Sequence, residues 1–431
     1  MQNGDRSPAR SFRIITLGCK VNQYDSEVMR ERLLDAGWAE DRGEPDVVVI
    51  NTCTVTHRAD AKARRLIRRT AREHPGCRIA VTGCIIDRDR HFADALPAVR
   101  HALPNAAKPF IAEALTGPDR PPREDPAACL AGISDFPGHT RAFVKVQDGC
   151  DAWCSYCIVP AVRGRERSRP ADNVVAEVAR LADRFHEVVL TGIHLGRYDG
   201  PVGGLDLAGL VGRLLDETPI ERLRLSSIEP KEITPELIDV AAGSPRLCPH
   251  FHVPLQSGSD RTLDRMNRPY TAAEFLHVLA RVRARLDRPA VTTDVMVGFP
   301  GESDEDFAGT VAACRAAEFA RVHVFPYSDR PGTAAERMPD KVHDADVTDR
   351  KNELERLADE LALAYKKPFV GRSVDVLVET RRHRSGALCG YCPRYLRVLF
   401  DGPDAVTGRI RPVRIREARP HVLLADAAEK P

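Results

Sequence analysis

Three of the twelve cysteines fall inside eight consecutive residues, Cys150-Asp-Ala-Trp-Cys154-Ser-Tyr-Cys157. A cytosolic chain keeps its thiols reduced, so cysteines spaced this way point to metal or redox chemistry before disulfides. Three thiolates with no fourth close by in sequence fall short of the four ligands of a closed zinc site. They suit a [4Fe–4S] cluster with three protein-ligated irons and one open iron, where a cofactor or substrate binds.

A second set emerges once the elements are placed. Residues 12–17, 46–50 and 78–82 are short apolar runs rich in β-branched residues and predict strands, with helical periodicity at 23–36 and 58–73. The βαβαβ order predicts an open parallel sheet. A cysteine follows each strand: Cys19, Cys53 and Cys84. Parallel strands end along one edge, where such folds place their sites, so these three thiols are expected to converge. Any one alone would read as a buried structural thiol. All three at the same strand ends read as a ligand set, whereas Cys77 precedes its strand and belongs at the opposite edge.

From Arg141 to Lys367 the rhythm changes to six β–α units. Strands are expected at 141–147, 187–191, 222–227, 250–255, 291–297 and 321–326. Helices are expected near 171–184, 205–216, 235–242, 259–286 (broken around Pro269), 303–317 and 346–366. Such a run of parallel crossovers makes a complete or partial β/α barrel, whose strand C-termini form the mouth. The Cys150–Cys157 loop follows the first of these strands. Polar and Gly-rich segments follow the others, among them Ser226-Ser227-Ile228-Glu229 and Pro254-Leu255-Gln256-Ser257-Gly258, with Asp294 near the end of the fifth.

Beyond residue 368, short alternating runs at 373–378, 395–400 and 412–415 predict a small antiparallel β-barrel. Net charge is only +2 over 431 residues, yet Lys366–Arg419 carries 13 Lys/Arg against 5 Asp/Glu. A basic β-barrel suits a polyanion such as looped RNA, with Tyr391 and Tyr395 as stacking surfaces. The helix at 58–73 carries Arg58, Lys62, Arg64, Arg65, Arg68, Arg69 and Arg72, a solvated face or a phosphate contact. Cys389-Gly390-Tyr391-Cys392 lacks the second half of a zinc site. The apolar fraction of 43% and charged fraction of 29% exclude a disordered chain, and no apolar run approaches the length of a spanning helix. Residues 1–11 show no apolar h-region, so a cytoplasmic chain is expected.

Along nearly its whole length the chain resembles the radical S-adenosylmethionine (SAM) methylthiotransferase family. Cys150-x-x-x-Cys154-x-x-Cys157 matches the superfamily's cluster motif, Cys19/Cys53/Cys84 match the family's N-terminal domain, and 369–427 resembles its RNA-binding TRAM domain. Gly18-Cys19-Lys20-Val21-Asn22-Gln23-Tyr24, Asn51-Thr52-Cys53-Thr54-Val55-Thr56 and Ala59-Asp60-Ala61-Lys62 are similar to the branch acting on N6-threonylcarbamoyladenosine of tRNA. The resemblance implies an α/β chain of three parts. These are an N-terminal open parallel α/β domain (10–120), a central partial (β/α)6 radical-SAM barrel (136–367) and a TRAM-like barrel (368–428). It implies two [4Fe–4S] clusters. The one on Cys150, Cys154 and Cys157 binds and cleaves SAM, giving a radical that activates adenine C2–H, which is too weak an acid for general-base removal at neutral pH. The one on Cys19, Cys53 and Cys84 carries the sulfur that a second SAM methylates before transfer to C2. Trp153 and Tyr156 in the cluster loop, and Glu229, Gln256, Ser257 and Asp294 at strand ends, are the expected SAM contacts, although strand-end polar groups also serve the backbone.

Expected partners are tRNA modified at position 37, an external one-electron donor of the flavodoxin type and a sulfur donor, with a monomer as default and no membrane. The same chemistry on isopentenyl-adenosine of tRNA, or on a ribosomal-protein aspartate, is the near alternative, disfavoured by Lys20-Val21-Asn22. A non-catalytic iron–sulfur RNA-binding sensor is the distant one; it needs neither two clusters nor an open iron beside a polar barrel mouth.

Overall fold

The computed structural model describes residues 10–117, 132–200 and 204–426, and Cys129 lies outside them. The chain divides into two units. The first takes the residues up to Ile133 together with Asp148–Ala152 and Cys157–Glu166, so the Cys150–Cys157 loop is divided equally between the units; the second takes the rest.

In the first unit, β1 (Ser11–Thr16), β2 (Val47–Thr52), β3 (Arg78–Gly83) and β4 (Val99–Leu103) form a parallel sheet in that spatial order, with Ala39–Glu40 at the β1 edge. β2 is buried at all six positions, which is why it reads as a continuous apolar run. Its side chains alternate between two cores. Val47 and Val49 join Phe12, Met29, Leu33 and Trp38 on one face, while Val48 and Ile50 join Ala63, Ile67, Val81 and Phe92 on the other. Cys77 packs at the edge of the second core, at the start of β3. Helix His57–Glu73 turns Ala63, Ile67 and Thr70 inward and leaves Arg58, Lys62, Arg65, Arg68, Arg69 and Arg72 exposed. Asp60 on the same helix is buried, accepting from Thr54 Oγ1 (2.7 Å) and Arg88 Nη1 (2.5 Å).

The second unit begins with six parallel strands in two sheets. β5 (Ala142–Lys145), β6 (Glu187–Thr191) and β7 (Arg222–Leu225) form one, and β8 (His250–His252), β9 (Ala290–Val297) and β10 (Arg321–Pro326) the other. Single bridges Leu223↔Leu247 and Ser227↔His252 link them into one arc. Helices follow each strand, and the expected 259–286 element is indeed broken, into Asp260–Arg265 and Ala272–Arg285. The break has two local causes. Asn267 adopts φ +57°, and Thr271 starts the next helix with a capping box to Glu274.

The C-terminal strands β11 (Ser373–Val378), β12 (Leu388–Tyr391), β13 (Arg397–Phe400), β14 (Ile410–Arg419) and β15 (Val422–Ala425) close into a barrel of order β11-β12-β13-β15-β14. It is not wholly antiparallel, because β13 and β15 run parallel (Val398↔Leu423). The expectation for the two tyrosines changes as well. Tyr391 and Tyr395 are not open stacking surfaces: their rings lie 4.9 Å apart, Arg141 sits over both, and Arg224 over Tyr395. They cap the N-terminal ends of β5–β7, where buried Glu187 binds Arg141 and Arg224. Cys392 belongs to the barrel core, and Cys389 Sγ accepts from Arg397 Nε at 3.2 Å, so this pair packs rather than ligates.

Candidate active site

In the first unit the three strand-end cysteines do converge. Cys19 caps helix Lys20–Asp35 with extended backbone, Cys53 follows β2, and Cys84 opens the short helix Cys84–Arg88. The turns that bring them together need glycine. Gly18 has φ +108°, and a Cβ there would lie 2.7 Å from Cys53 Cβ and 3.2 Å from its Sγ. Gly83 has φ +101°, and a Cβ would strike Thr52 O at 2.3 Å. Asn22 locks the same edge, donating Nδ2 to Leu17 O (2.9 Å) and Thr52 O (2.8 Å), while Asn51 Nδ2 donates to Asn22 O (2.9 Å).

Electrostatics bind the three thiols into one site. Burial pushes Cys53 up to about 11; the Val55 backbone opposes this, Cys84 and Cys19 add to it, and Arg163 opposes it. Arg163 is buried and holds Asp25 (3.0 Å), Asp148 (3.1 Å) and Asn22 Oδ1 (2.5 Å). Burial works against its charge, but Asp148, Asp25, Cys84 and Cys19 keep it protonated, well above the ordinary range. Lys108, also buried, reaches Asp25 at 2.8 Å; burial lowers its pKa and Asp25 opposes the shift. Asn105 Nδ2 lies 3.9 Å from Cys84 Sγ. Arg163 Nε and Asn105 Oδ1 are buried without a hydrogen-bond partner. Three converging thiols, two buried cations and the unsatisfied Arg163 Nε–H fit a cluster with three protein ligands and net negative charge.

Of the cluster loop, Cys150 and Cys157 lie in the first unit and Cys154 in the second. Cys150 N–H donates to Gly164 O at 3.1 Å, and Gly149 packs so tightly that a Cβ would lie 1.9 Å from Arg165 O. In the second unit, Cys154 Sγ accepts from Arg268 Nη1 at 3.1 Å. Arg268 Nη2 pairs with Glu229, and its Nε reaches Tyr270 Oη at 3.2 Å. Burial opposes the charge on Arg268, but Tyr156, Tyr270, Glu229 and Cys154 hold it far above the ordinary arginine range. For Glu229, burial raises the pKa and Arg268 pulls it back.

The expected SAM contacts fall into different places. Glu229 stands beside Cys154 through Arg268. Tyr156 packs with Met266, Met296, Phe299 and Phe325. Trp153 is 62% exposed with φ +49°, its carbonyl accepting from Asn267 Nδ2 at 3.0 Å. Gln256 adopts φ +62° and bridges to Val295. Ser257 is fully buried, with Oγ 3.2 Å from Thr310 Oγ1 and accepting from Ser259 N–H, so it braces the turn before Asp260–Arg265. Asp294 lies 3.3 Å from His252 Nε2. Sequence reasoning missed Arg268. Its signal was the helix break Met266-Asn267-Arg268-Pro269, which takes the arginine out of a helix face and turns it to the cluster loop.

Three family models match the chain. The Radical SAM superfamily model matches residues 144–314, the uncharacterized protein family UPF0004 matches 11–102, and the TRAM domain matches 367–428. A threonylcarbamoyladenosine tRNA methylthiotransferase MtaB of Chlamydia pneumoniae is 38% identical, covering 90% of this chain and 91% of that protein. Its Bacillus subtilis namesake is 36% identical over 94% and 93%. A tRNA-2-methylthio-N(6)-dimethylallyladenosine synthase of Pelotomaculum thermopropionicum is 34% identical over 95% and 96%. Among solved structures, the radical SAM methyltransferase TsrM of Kitasatospora setae shares the fold at TM-score 0.59 and 16% identity, covering 76% of this chain and 77% of that one.

Proposed function

Because the chain belongs to the radical SAM methylthiotransferase family, we propose that it adds a methylthio group to C2 of N6-threonylcarbamoyladenosine at position 37 of tRNA. Cys150, Cys154 and Cys157 would hold one [4Fe–4S] cluster, and Cys19, Cys53 and Cys84 a second. Once bound, the clusters and SAM supply one-electron cleavage of the cofactor, hydrogen abstraction at C2 and a sulfur to be methylated.

The observation that carries the reading is the Arg268–Glu229 pair against Cys154 Sγ. A SAM molecule chelating an open iron presents an amino and a carboxylate group side by side. A guanidinium and a carboxylate already matched to each other beside the cluster cysteine complement that zwitterion, Arg268 for the carboxylate and Glu229 for the amino group. The Arg268 side chain is only 4% exposed and that of Glu229 25%, so the pair is partly shielded from water. Tyr156, within the same apolar cluster as Met296 and Phe325, offers a face for the adenine. On the sulfur-carrying side, Arg163 and Lys108 would balance negative charge, and the glycines at 18 and 83 let the cysteine-bearing turns pack closely together.

Exposed arginines alternate with buried residues along β14, as in Arg414, Ile415 and Arg416, and give the C-terminal barrel a surface for the tRNA backbone. We take the electrons to come from a flavodoxin-type donor and the sulfur from a separate donor, with the protein working as a cytoplasmic monomer. Among the described residues no helix is long and apolar enough to cross a membrane.

Isopentenyl-adenosine is the second reading, favoured by relatives of that activity at similar identity and coverage. Mass spectrometry of tRNA nucleosides from a host lacking both methylthiolated forms, with this gene added, separates the two. The proposal expects the methylthio derivative of threonylcarbamoyladenosine alone; the isopentenyl derivative alone would refute it.

A further inference from the structure

The barrel carries a polar layer that neither cluster explains. His252, Asp294 and His323 lie on three adjacent parallel strands, β8, β9 and β10, with His252 in register with Thr292 and Asp294 with His323. His252 Nε2 is 3.3 Å from Asp294 Oδ2, His252 Nδ1 is 2.9 Å from Thr292 Oγ1, and the two imidazoles meet edge-on at 5.9 Å. The intervening residues Phe251, Val253, Val291 and Val295 are buried apolar groups, so the trio occupies the opposite face of the sheet. Asp294 keeps 35% of its side chain exposed, which marks this face as open to a ligand and not part of the core.

The layer's position matters. Two residues further along β9 and β10, on the same face, Met296 and Phe325 pack with Tyr156 of the cluster loop. The polar trio therefore lies one side-chain layer, about 7 Å, from the residues against Tyr156.

We propose that His252, Asp294 and His323 recognise the threonylcarbamoyl substituent of the target adenosine, an inference that rests on the substrate proposed above. That substituent offers a carboxylate, a hydroxyl and urea N–H groups. The imidazoles donate to its carboxylate, and Asp294 accepts from its hydroxyl or N–H. An isopentenyl group offers no such partners. Seated here it would take the polar layer out of water without giving it a new hydrogen-bond partner. A site built to hydrogen-bond its substrate rejects an analogue lacking those groups far more strongly than an apolar pocket rejects an extra methylene.

The test uses cluster-loaded protein and fluorescent anticodon stem-loop RNAs bearing threonylcarbamoyladenosine, isopentenyl-adenosine or adenosine at position 37. Wild type is expected to bind the threonylcarbamoyl RNA at least about tenfold more tightly than the adenosine RNA, the equivalent of ~1.4 kcal/mol. His323→Phe and His252→Phe are expected to abolish that ratio while binding adenosine RNA and SAM as wild type does. His323→Gln, which keeps a donor, is expected to restore most of it. Variants that keep the wild-type ratio would overturn the assignment and leave the substrate reading standing. Variants that lose SAM affinity with the ratio unchanged would assign the trio to the cofactor and overturn it equally. A wild-type protein with no preference for the threonylcarbamoyl RNA would remove the substrate reading and this pocket together.

Discussion

Arg268 donates Nη1 to Cys154 Sγ across 3.1 Å while its Nη2 pairs with Glu229, so one guanidinium joins a cluster cysteine to a barrel-mouth carboxylate. Replacing it with methionine would remove the proposed partner of the SAM carboxylate and leave Glu229 beside Glu232 without its guanidinium. Charge-assisted hydrogen bonds contribute about 1.5–3 kcal/mol, so Arg268→Met should weaken SAM binding by roughly 10- to 100-fold, measured by equilibrium dialysis on cluster-loaded protein. Arg268→Lys should recover only part, because an ammonium cannot fork to Cys154, Glu229 and Tyr270 together. Unchanged SAM affinity in both variants would dissociate the pair from the cofactor.

The two cysteine sets should separate by stoichiometry and by reaction. Cys53→Ala is expected to halve iron and sulfide, from about eight to about four of each per chain, and to keep cleavage of SAM to 5′-deoxyadenosine while losing methylthio transfer. Cys154→Ala should show the same halving and lose cleavage. Full iron content in Cys53→Ala would mean that the strand-end thiols bind no cluster.

How far the sequence led is clearest in these two sets. Strand ends at Cys53 and Cys84 were legible because β2 and β3 are unbroken apolar, β-branched-rich runs, and the polar and glycine residues that follow mark where each strand stops. The six barrel strands were legible for the same reason, β6 and β10 to the residue. Arg268 was not, because nothing local says that a residue in a helix break 39 positions after Glu229 will pair with it. Tyr391 and Tyr395 were misread since alternation shows which side chains leave a strand, not whether another part of the fold covers them. The polar layer of His252, Asp294 and His323 depends on inter-strand register, which only tertiary structure supplies.

Arg163 should be needed for stability as well as for the cluster edge. It holds Asp25 and Asp148 in a buried setting, and removing one partner of a buried pair typically costs about 3–5 kcal/mol. Lys108 still reaches Asp25 in Arg163→Met, so the lower end is expected, roughly 3 kcal/mol by urea denaturation of the cluster-free protein. A loss under about 1 kcal/mol would mean that the network is solvated and contributes as a surface pair does.

Lys366 links helix Asp344–Lys366 to the C-terminal barrel, donating to Pro420 O at 2.7 Å and Ala362 O at 3.2 Å. Burial lowers its pKa from 10.5 to about 8, with Arg321 adding to the shift. Between these values the unfolded chain binds more protons than the folded one, so this group makes the fold more stable as pH rises from about 8 toward 10.5. The stability difference between wild type and Lys366→Met should shift in favour of wild type across that window, by up to on the order of 3 kcal/mol. A difference independent of pH would show an ordinary, solvated amine.

The basic barrel should announce itself in salt dependence. Arg414 and Arg416 are exposed on β14, and each phosphate contact removed lowers the slope of log affinity against log salt by about 0.7–0.9. Arg414→Ala and Arg416→Ala should each reduce that slope and weaken binding alike for modified and unmodified tRNA. A changed preference between them with an unchanged slope would place these arginines at a base.

The central claim is tested most directly by expressing the protein in a host that lacks methylthiolated threonylcarbamoyladenosine, with Cys154→Ala as control, and analysing tRNA nucleosides by mass spectrometry. The account predicts the 2-methylthio derivative with the intact chain and none with the variant. Threonylcarbamoyladenosine left unmodified by a protein that carries both clusters and cleaves SAM would contradict it.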